Sequence, residues 1–177
     1  MQPIFECRSI RCVAAVVSFL GLTSVAALGF EPMTATVRVS SGGLYDYVVI
    51  GEQPMATDGF DNAYDTISPG NLNSDMGLPY ISAVIAQPDW KPAMRELRGD
   101  IRVPARKQQW QIRITSSLDK GTPLAVTLLP GLGATSQRFG ATLPGNKKST
   151  DLKTGTYNVP APGPGSTAEL VVSVEQP

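Results

Sequence analysis

The feature that most constrains this chain is the strict alternation of apolar and polar side chains in short runs. In QWQIRIT, residues 109–115, Trp110, Ile112 and Ile114 alternate with glutamine, arginine and threonine. Successive side chains of a β-strand point to opposite faces of a sheet, so a period of two predicts a half-buried strand. We therefore expect Trp110 to lie in the core of a β-sheet protein.

Seven further short runs are rich in apolar and β-branched residues, and segments rich in glycine, proline, asparagine or serine separate them. They span residues 34–40, 44–52, 78–86, 97–103, 123–129, 151–159 and 168–175. No run has a convincing helical period. About eight short strands at this spacing predict an all-β fold, an antiparallel β-sandwich of immunoglobulin-like or jelly-roll kind.

Two local predictions follow for the strand pairing and the strand faces. The segment 117–122, SLDKGT, is a turn sequence between two strand-like runs, so we expect the runs 109–115 and 123–129 to form a hairpin. In LYDYVVIGE, whose period is not clean, Leu44, Tyr47 and Ile50 are expected near the core.

The run 97–103 contains the tripeptide RGD, which in adhesion proteins protrudes on a flexible loop. The flanking residues favour a strand, with Leu97, Ile101 and Val103 inward. Alternation then places Arg98, Asp100 and Arg102 in solvent as a cross-strand charge ladder. We interpret the tripeptide as a chance occurrence in a strand.

The first 29 residues have the pattern of a secretory signal peptide. Arg8 and Arg11 precede an uncharged apolar run from Val13 to Leu28, which ends in small residues. This run is shorter than the roughly 20 apolar residues of a membrane-spanning helix. We expect residues 1–29 to be a cleaved signal peptide, residues 30–177 to form one domain without a membrane span, and the protein to be periplasmic or extracellular.

The composition excludes several classes of chemistry. The chain contains no histidine, and its two cysteines, Cys7 and Cys12, both lie in the expected signal peptide. A Ser-His-Asp triad, a Cys-His pair and a zinc–thiolate site are therefore excluded from the mature chain. Removal of the signal leaves 13 basic and 14 acidic residues without a run of like charge. We expect no nucleic-acid partner.

The 22-residue gap between Glu52 and Asp75 is long for a loop in a compact domain, and such loops are often functional. It contains ATDGFDNAYD, residues 56–65. Asp58, Asp61 and Asp65, with Asn62 and Asp75 nearby, could supply the hard oxygen ligands that calcium prefers. The spacing does not match an EF-hand loop.

A structural role explains the same residues. Aspartate and asparagine bond their own backbone two residues on, and Phe60 and Tyr64 would anchor the loop. If a helical turn formed, its carboxylates would repel one another, and Lys91, Arg95 or calcium could compensate. We expect a structural loop and no cofactor, with calcium at Asp58, Asp61 and Asp65 as the alternative.

Several motifs in the same order resemble a poorly characterised β-sandwich module of secreted and surface bacterial proteins. They are GEQPMATDGFDNAYDTISPG, LPYISAVI, a tryptophan at 90, LRGDIR and WQIRI, between Gly51 and Leu129. In that group an A-T-D-G-[FY]-D-x₃-D loop precedes an aromatic-containing strand, a tryptophan and a D-I-R strand. The group's proline-rich run after the second aspartate is reduced here to one proline, in TISPGNLNSD. The resemblance implies export and a non-catalytic role.

We therefore expect an exported, non-catalytic module that contacts an unknown protein or surface component of the cell envelope or extracellular space. The main alternative is a calcium-dependent carbohydrate-binding module, for which Trp90, Tyr80 and Tyr64 are the candidate stacking residues. A third alternative is a hydrolase with paired carboxylates, drawn from Asp58, Asp61, Asp65 and Asp75.

Overall fold

The computed structural model describes residues 31–87, 96–146 and 148–177. The expected signal peptide, Trp90, Lys91 and Arg95 lie outside these residues. The all-β prediction is confirmed: the described residues contain one four-residue helix and eleven strands. The helix is α1 (Leu72–Asp75), and the strands are β1 (Met33–Ser41), β2 (Leu44–Glu52), β3 (Thr66–Ile67), β4 (Ile81–Ala86), β5 (Glu96–Arg102), β6 (Lys107–Ser116), β7 (Pro123–Pro130), β8 (Arg138–Thr142), β9 (Thr150–Asp151), β10 (Tyr157–Pro160) and β11 (Ala168–Glu175).

The strands form one mixed sheet that is nearly closed into a barrel, in the order β10-β7-β1-β2-β5-β4-β6-β11-β8-β9, with β3 paired to β5. The two edge strands, β9 and β10, are consecutive in the chain, and residues 152–156 connect them. The backbone N–H of Leu143, after β8, donates to the hydroxyl of Tyr157 on β10 at 3.2 Å. The predicted two-sheet sandwich is not confirmed, because continuous pairing joins all eleven strands.

One strand pair runs parallel, so the prediction of a wholly antiparallel sheet is wrong at that pair. Val49–Glu52 of β2 pair in parallel with Gly99–Arg102 of β5. Parallel neighbours require a long crossover connection. The long segment after Glu52, together with β4, provides that connection.

The core runs continuously through the interior and is built by alternation along each strand. On β1, Met33, Ala35, Val37 and Val39 are buried, and the residues between them are partly or fully exposed. The predicted burial of Trp110 is confirmed, since its side chain is inaccessible to solvent and lies in the core cluster with Ile112 and Ile114 of the same strand. The strictest alternation in the sequence therefore predicted its face correctly.

The expected pairing of the later strands is wrong in two places. β6 pairs with β4 and β11, whereas β7 pairs with β1 and β10, so these two strands do not form a hairpin. The expected strand at 151–159 is divided into β9 and β10 at opposite edges of the sheet. In addition, β8 was not predicted from the sequence.

The expected exposure of the RGD charges is also wrong, although the strand itself is confirmed as β5. Asp100 is fully buried, and the side chains of Arg98 and Arg102 are 14% and 15% exposed. Arg102 Nη2 lies 2.8 Å from Asp100 Oδ2, and Gln87 Nε2 donates to the same oxygen at 2.8 Å. These donors cover the carboxylate, so the tripeptide is part of the packed fold.

Asp46 fixes the orientation of β2. Like the buried residues Val48 and Ile50, Asp46 lies at an inward position of the strand. Its Oδ2 accepts the backbone N–H of Ala83 on β4 at 2.8 Å. Alternation along the strand then directs Tyr45 and Tyr47 to the outer surface. The expected position of Tyr47 near the core is therefore wrong, and its exposed fraction is 43%.

Candidate functional site

The aspartate-rich loop forms one helical turn between Asp61 and Asp65. The carbonyl of Asp61 accepts the backbone N–H of Tyr64 at 3.1 Å and that of Asp65 at 2.7 Å. The carboxylate of Asp61 accepts the N–H of Ala63 at 2.9 Å, which is the local bond expected of an aspartate in a turn. The side chains of Asp61 and Asp65 are thereby brought to neighbouring positions.

Asp65 connects this loop to the sheet. Its Oδ1 accepts the N–H of Ile101 on β5 at 2.9 Å, and its Oδ2 accepts the N–H of Asp61 at 2.8 Å. Burial raises the pKa of Asp65 above its ordinary value of 3.8, with smaller contributions in the same direction from the charges of Asp100 and Asp61. The two N–H bonds act in the opposite direction because they stabilise the ionised carboxylate.

Asp58 is not part of this arrangement. It is exposed in a bend where the hydroxyl of Thr57 donates to the carbonyl of Gly59 at 3.0 Å. Phe60 packs against the core, as the structural interpretation expects, and Tyr64 is half-buried. Within residues 31–87, 96–146 and 148–177, no three aspartate, glutamate, histidine or cysteine side chains are grouped as a metal site. Calcium binding by Asp58, Asp61 and Asp65 stays a prediction.

A surface of different character lies on the outside of β1, β2 and β7. We call it the tyrosine face and define it by Thr36, Arg38, Tyr45, Tyr47 and Leu129, which line one depression of about 380 Å³. The exposed fractions of Tyr45, Tyr47 and Leu129 are 58%, 43% and 54%. Because three large exposed side chains adjoin on this part of the sheet, we take the tyrosine face as a candidate interaction surface.

Arg38 is the charged centre of the tyrosine face. Its register partners are Tyr47 on β2 and Thr127 on β7. Its guanidinium carbon lies 4.2 Å from the centre of the Tyr45 ring, so the planar cation stacks on the aromatic face. This stack favours one arrangement of the two side chains.

A larger depression, of about 610 Å³, lies outside β8 and β11. Gly140 forms part of its lining, and a Cβ atom there would lie 2.3 Å from Ser149 Oγ and 2.9 Å from Ser173 Oγ. A side chain at position 140 would collide with both serines, which explains why a glycine stands there. Lys107 and Glu175 pair with each other across this surface at 2.9 Å, so two of its charges are already compensated.

The long connection after β2 also exposes apolar side chains. Met55, Leu72 and Met76 are 77%, 71% and 62% exposed, and α1 has no buried residue. No helix in the described residues is long and apolar enough to cross a membrane. We consider the tyrosine face the better candidate because strands hold its side chains in register.

The buried carboxylates are engaged in the fold. Glu52 is inaccessible to solvent; it accepts the N–H of Ala105 at 3.1 Å and a hydrogen bond from the Gln176 amide. Burial raises the pKa of Glu52 above its ordinary value of 4.5, and these two hydrogen bonds oppose the change. A catalytic acid or base needs access to substrate, and neither Glu52 nor Asp100 lines the depressions described above.

Sequence reasoning missed Arg38, Tyr45 and Tyr47 and selected other aromatics instead. A strict period of two, counted back from Ile50 through Val48, places Asp46 inside and both tyrosines outside. That signal was present in LYDYVVIGE, but an aspartate in an inward position contradicts the usual pattern.

Comparison of the chain with protein-family models, with curated proteins and with solved structures found no match.

Proposed function

We propose that the protein is an exported, non-catalytic binding module that contacts a protein partner through the tyrosine face. The observation that carries the proposal is the exposure of Tyr45 and Tyr47 on neighbouring outward positions of β2, with Leu129 beside them. Tyrosine and arginine are enriched among the residues that dominate binding energy in protein interfaces. Rigid placement on strands limits the entropy lost on association.

The stacking of Arg38 favours a protein partner over a carbohydrate. A sugar ring binds against an open aromatic face, and the guanidinium of Arg38 already occupies one face of the Tyr45 ring. An arginine stacked on a tyrosine instead offers apolar area and directed N–H donors together, which suits a peptide surface. The tyrosine face is therefore the site that we assign to the partner.

The remaining parts of the proposal come from the sequence. The signal-peptide pattern of residues 1–29 and the resemblance to a secreted bacterial module support a periplasmic or extracellular location. In this proposal the nearly closed sheet is flattened, so that its opposite walls pack as the two layers of a β-sandwich do. The common core of strands far apart in the sheet order, such as Val37 of β1 and Ile112 of β6, supports that description.

Site-specific cross-linking in the producing cell tests the function. A photoreactive phenylalanine analogue at position 45 or 47 is expected to give one specific cross-linked protein after irradiation. The matched control carries the same analogue at Gln111, an exposed residue of β6 that lies three strands from β2 in the sheet. The cross-linked species is identified by mass spectrometry, and the intact mass of the exported protein tests whether its chain begins between Ala27 and Phe30.

A Tyr45→Ser/Tyr47→Ser variant without the analogue supplies the second measurement. It is expected to fold normally and to lose co-purification of the protein found by cross-linking. Equal cross-linking from positions 45, 47 and 111, or unchanged co-purification, would show that the tyrosine face does not carry the interaction.

A calcium-dependent carbohydrate-binding module is the second candidate, and the helical turn that gathers Asp61 and Asp65 favours it. Binding of purified polysaccharides with calcium and with a chelator distinguishes the two functions. Calcium-dependent polysaccharide binding that is lost in Asp61→Asn/Asp65→Asn and kept in Tyr45→Ser/Tyr47→Ser would favour this candidate over the protein-binding module.

A further inference from the structure

Arg38 is exposed and differs from the three arginines of the sheet that pair with a carboxylate. Arg98, Arg102 and Arg113 each lie beside a carboxylate, of Asp46, Asp100 and Glu96 respectively. Among the residues that the structure describes, Arg38 has no carboxylate partner. Its N–H donors are therefore available on the outer surface, while the stack on Tyr45 fixes the plane of the guanidinium.

The surroundings of Arg38 are suited to an extended ligand. Thr36 and Ser40 flank it on the same face of β1, and two depressions meet at Arg38. The depression on the side of Thr36 contains the tyrosines and Leu129 and has a volume of about 380 Å³, and the one on the side of Ser40 has about 450 Å³. From Thr36 to Ser40 the strand extends about 13 Å, which is the length of roughly four extended residues.

The charges around Arg38 favour an acidic ligand. The nearest carboxylate on the neighbouring strand, Asp46, is held by Arg98 and by the N–H of Ala83. The tyrosine face thus carries the uncompensated positive charge of Arg38. The guanidinium carbon of Arg98 lies 5.4 Å from the centre of the Tyr47 ring, but Asp46 compensates the charge of Arg98. A planar guanidinium with free donors binds a carboxylate through two parallel hydrogen bonds.

We propose that Arg38 is a carboxylate-binding residue, and that the occupant of the tyrosine face is an extended acidic peptide segment of the partner protein. The segment lies along β1 and places one aspartate or glutamate carboxylate on the guanidinium, with an apolar side chain against Tyr47 and Leu129. This inference rests on the proposed function, which it deepens by naming the chemistry of the partner. Tyr45 acts as a positioning residue because it orients the guanidinium.

Fluorescence anisotropy with labelled hexaglutamate tests the inference, with labelled hexaglutamine as the uncharged probe of the same length. Hexaglutamate is expected to bind at least about tenfold more tightly than hexaglutamine, because hydrogen bonds to charged groups are the stronger ones. Arg38→Gln is expected to abolish the difference between the probes. Arg38→Lys keeps the charge without the planar fork, so it is expected to weaken hexaglutamate binding by about fivefold or more.

Three further variants test the positioning role of Tyr45 and distinguish this site from a general effect of positive charge. Tyr45→Phe keeps the aromatic stack and is expected to bind as the wild type does, whereas Tyr45→Leu is expected to weaken binding about threefold. Arg138→Gln removes an exposed arginine of β8 and changes the net charge equally, so it is expected to leave binding unchanged. All of these positions are on the surface, and thermal melts verify that each variant is folded.

Three results would overturn the inference: no difference between the two probes, an equal effect of Arg38→Gln and Arg138→Gln, or selective binding of an oligogalacturonate over hexaglutamate. The last result would assign the carboxylate to an acidic sugar. Cross-linking from positions 45 and 47 does not depend on Arg38. If that cross-linking succeeds while the probes fail, the proposed function stands and the acidic-peptide inference alone is wrong.

Discussion

Arg98 on β5 and Asp46 on β2 form an ion pair, with 2.5 Å between Nη1 and Oδ1, that supplies hydrogen-bond partners to the backbone of Ala83 on β4. Asp46 accepts the N–H of Ala83 at 2.8 Å, and Arg98 donates to its carbonyl at 3.3 Å. In the described part of the chain no ladder pairs β2 with β4. The two side chains thus take the place of the backbone bonds that a ladder would provide there.

This relationship predicts a large loss of stability when one partner is removed. Asp46→Ala leaves the N–H of Ala83 without its acceptor and the guanidinium of Arg98 without its carboxylate, in a site where the side chains of Asp46 and Arg98 are less than 15% exposed. We expect the free energy of unfolding to fall by about 3 kcal/mol, near the lower end for breaking a buried pair. Urea unfolding followed by circular dichroism measures the change.

The control for this prediction is Glu175→Ala, which breaks the exposed pair with Lys107, whose side chain is 54% exposed. We expect a much smaller change there, since solvent screens exposed pairs. Similar changes in the two variants would contradict a special role of Asp46 and Arg98.

The sequence predicted the strands more reliably than their partners, for a physical reason. Alternation reports which side of a strand is buried, and it placed Trp110 correctly. Pairing depends on contacts between segments that are far apart in sequence. The turn at residues 117–122 resembles a hairpin turn locally, yet the strands on either side of it join different neighbours.

The candidate site was missed because one polar residue has an unusual position. Asp46 occupies an inward position on β2 where a sheet normally has an apolar side chain, and its partner Arg98 lies 52 residues away. Asp100 is likewise buried because side chains cover it, but these are nearer in the sequence, with Arg102 two residues away and Gln87 13 residues away. A charged residue predicts exposure only when no such partner is present, and the sequence does not show the partner.

The burial of Trp110 leads to a second prediction. Trp110→Ala is expected to lower the free energy of unfolding by about 3–5 kcal/mol, the range for aromatic truncation in a core. Trp110→Phe keeps most of the packing and loses the bond from Nε1 to the carbonyl of Asp100, which is 3.2 Å long. We expect it to lose about 1–2 kcal/mol.

Guanidinium unfolding followed by far-ultraviolet circular dichroism measures both tryptophan variants without relying on tryptophan fluorescence. Tyr45→Ala, which truncates an exposed aromatic side chain, is the control and is expected to change stability by about 0.5 kcal/mol or less. Equal midpoints for wild type and Trp110→Ala would contradict the position of this side chain in the core.

The aspartate-rich loop provides a third prediction, which separates its structural interpretation from the calcium alternative. Phe60 packs against the core, whereas the carboxylate of Asp61 makes one local bond, to Ala63. Without calcium, Phe60→Ala is therefore expected to destabilise the protein by about 2 kcal/mol and Asp61→Asn by less than about 1 kcal/mol.

Melting with calcium and with a chelator completes this experiment. The structural interpretation predicts the same melting temperature in both conditions. If calcium binds, it stabilises the folded state by mass action, and Asp61→Asn then becomes the more destabilising change in its presence. A chelator-sensitive melt that is absent from Asp58→Asn/Asp61→Asn would establish the calcium site.

The fourth prediction concerns the pH dependence that Glu52 contributes. Burial raises its pKa in the folded protein above the ordinary value of 4.5. Between these two pKa values the folded state therefore binds more protons than the unfolded state, and stability falls as the pH rises. The contribution of Glu52 is fully present below pH 4.5 and is lost as the pH rises through the raised pKa.

Comparison of the wild type with Glu52→Gln isolates this effect, because glutamine stays uncharged and the other titrating groups cancel. The stability of the wild type minus that of Glu52→Gln is expected to be largest in acid, to decrease through the window above pH 4.5 and then to become constant.

Glu175 is the matched control, since its hydrogen bond and ion pair with Lys107 lower its pKa. The corresponding difference for Glu175→Gln is expected to decrease in the opposite direction, as the pH falls. Urea unfolding at intervals from about pH 3 to pH 8 measures both differences, because the change at Glu175 falls below pH 4.5 and that at Glu52 above it. A Glu52→Gln difference that stays constant over this range would mean that burial does not raise the pKa of Glu52.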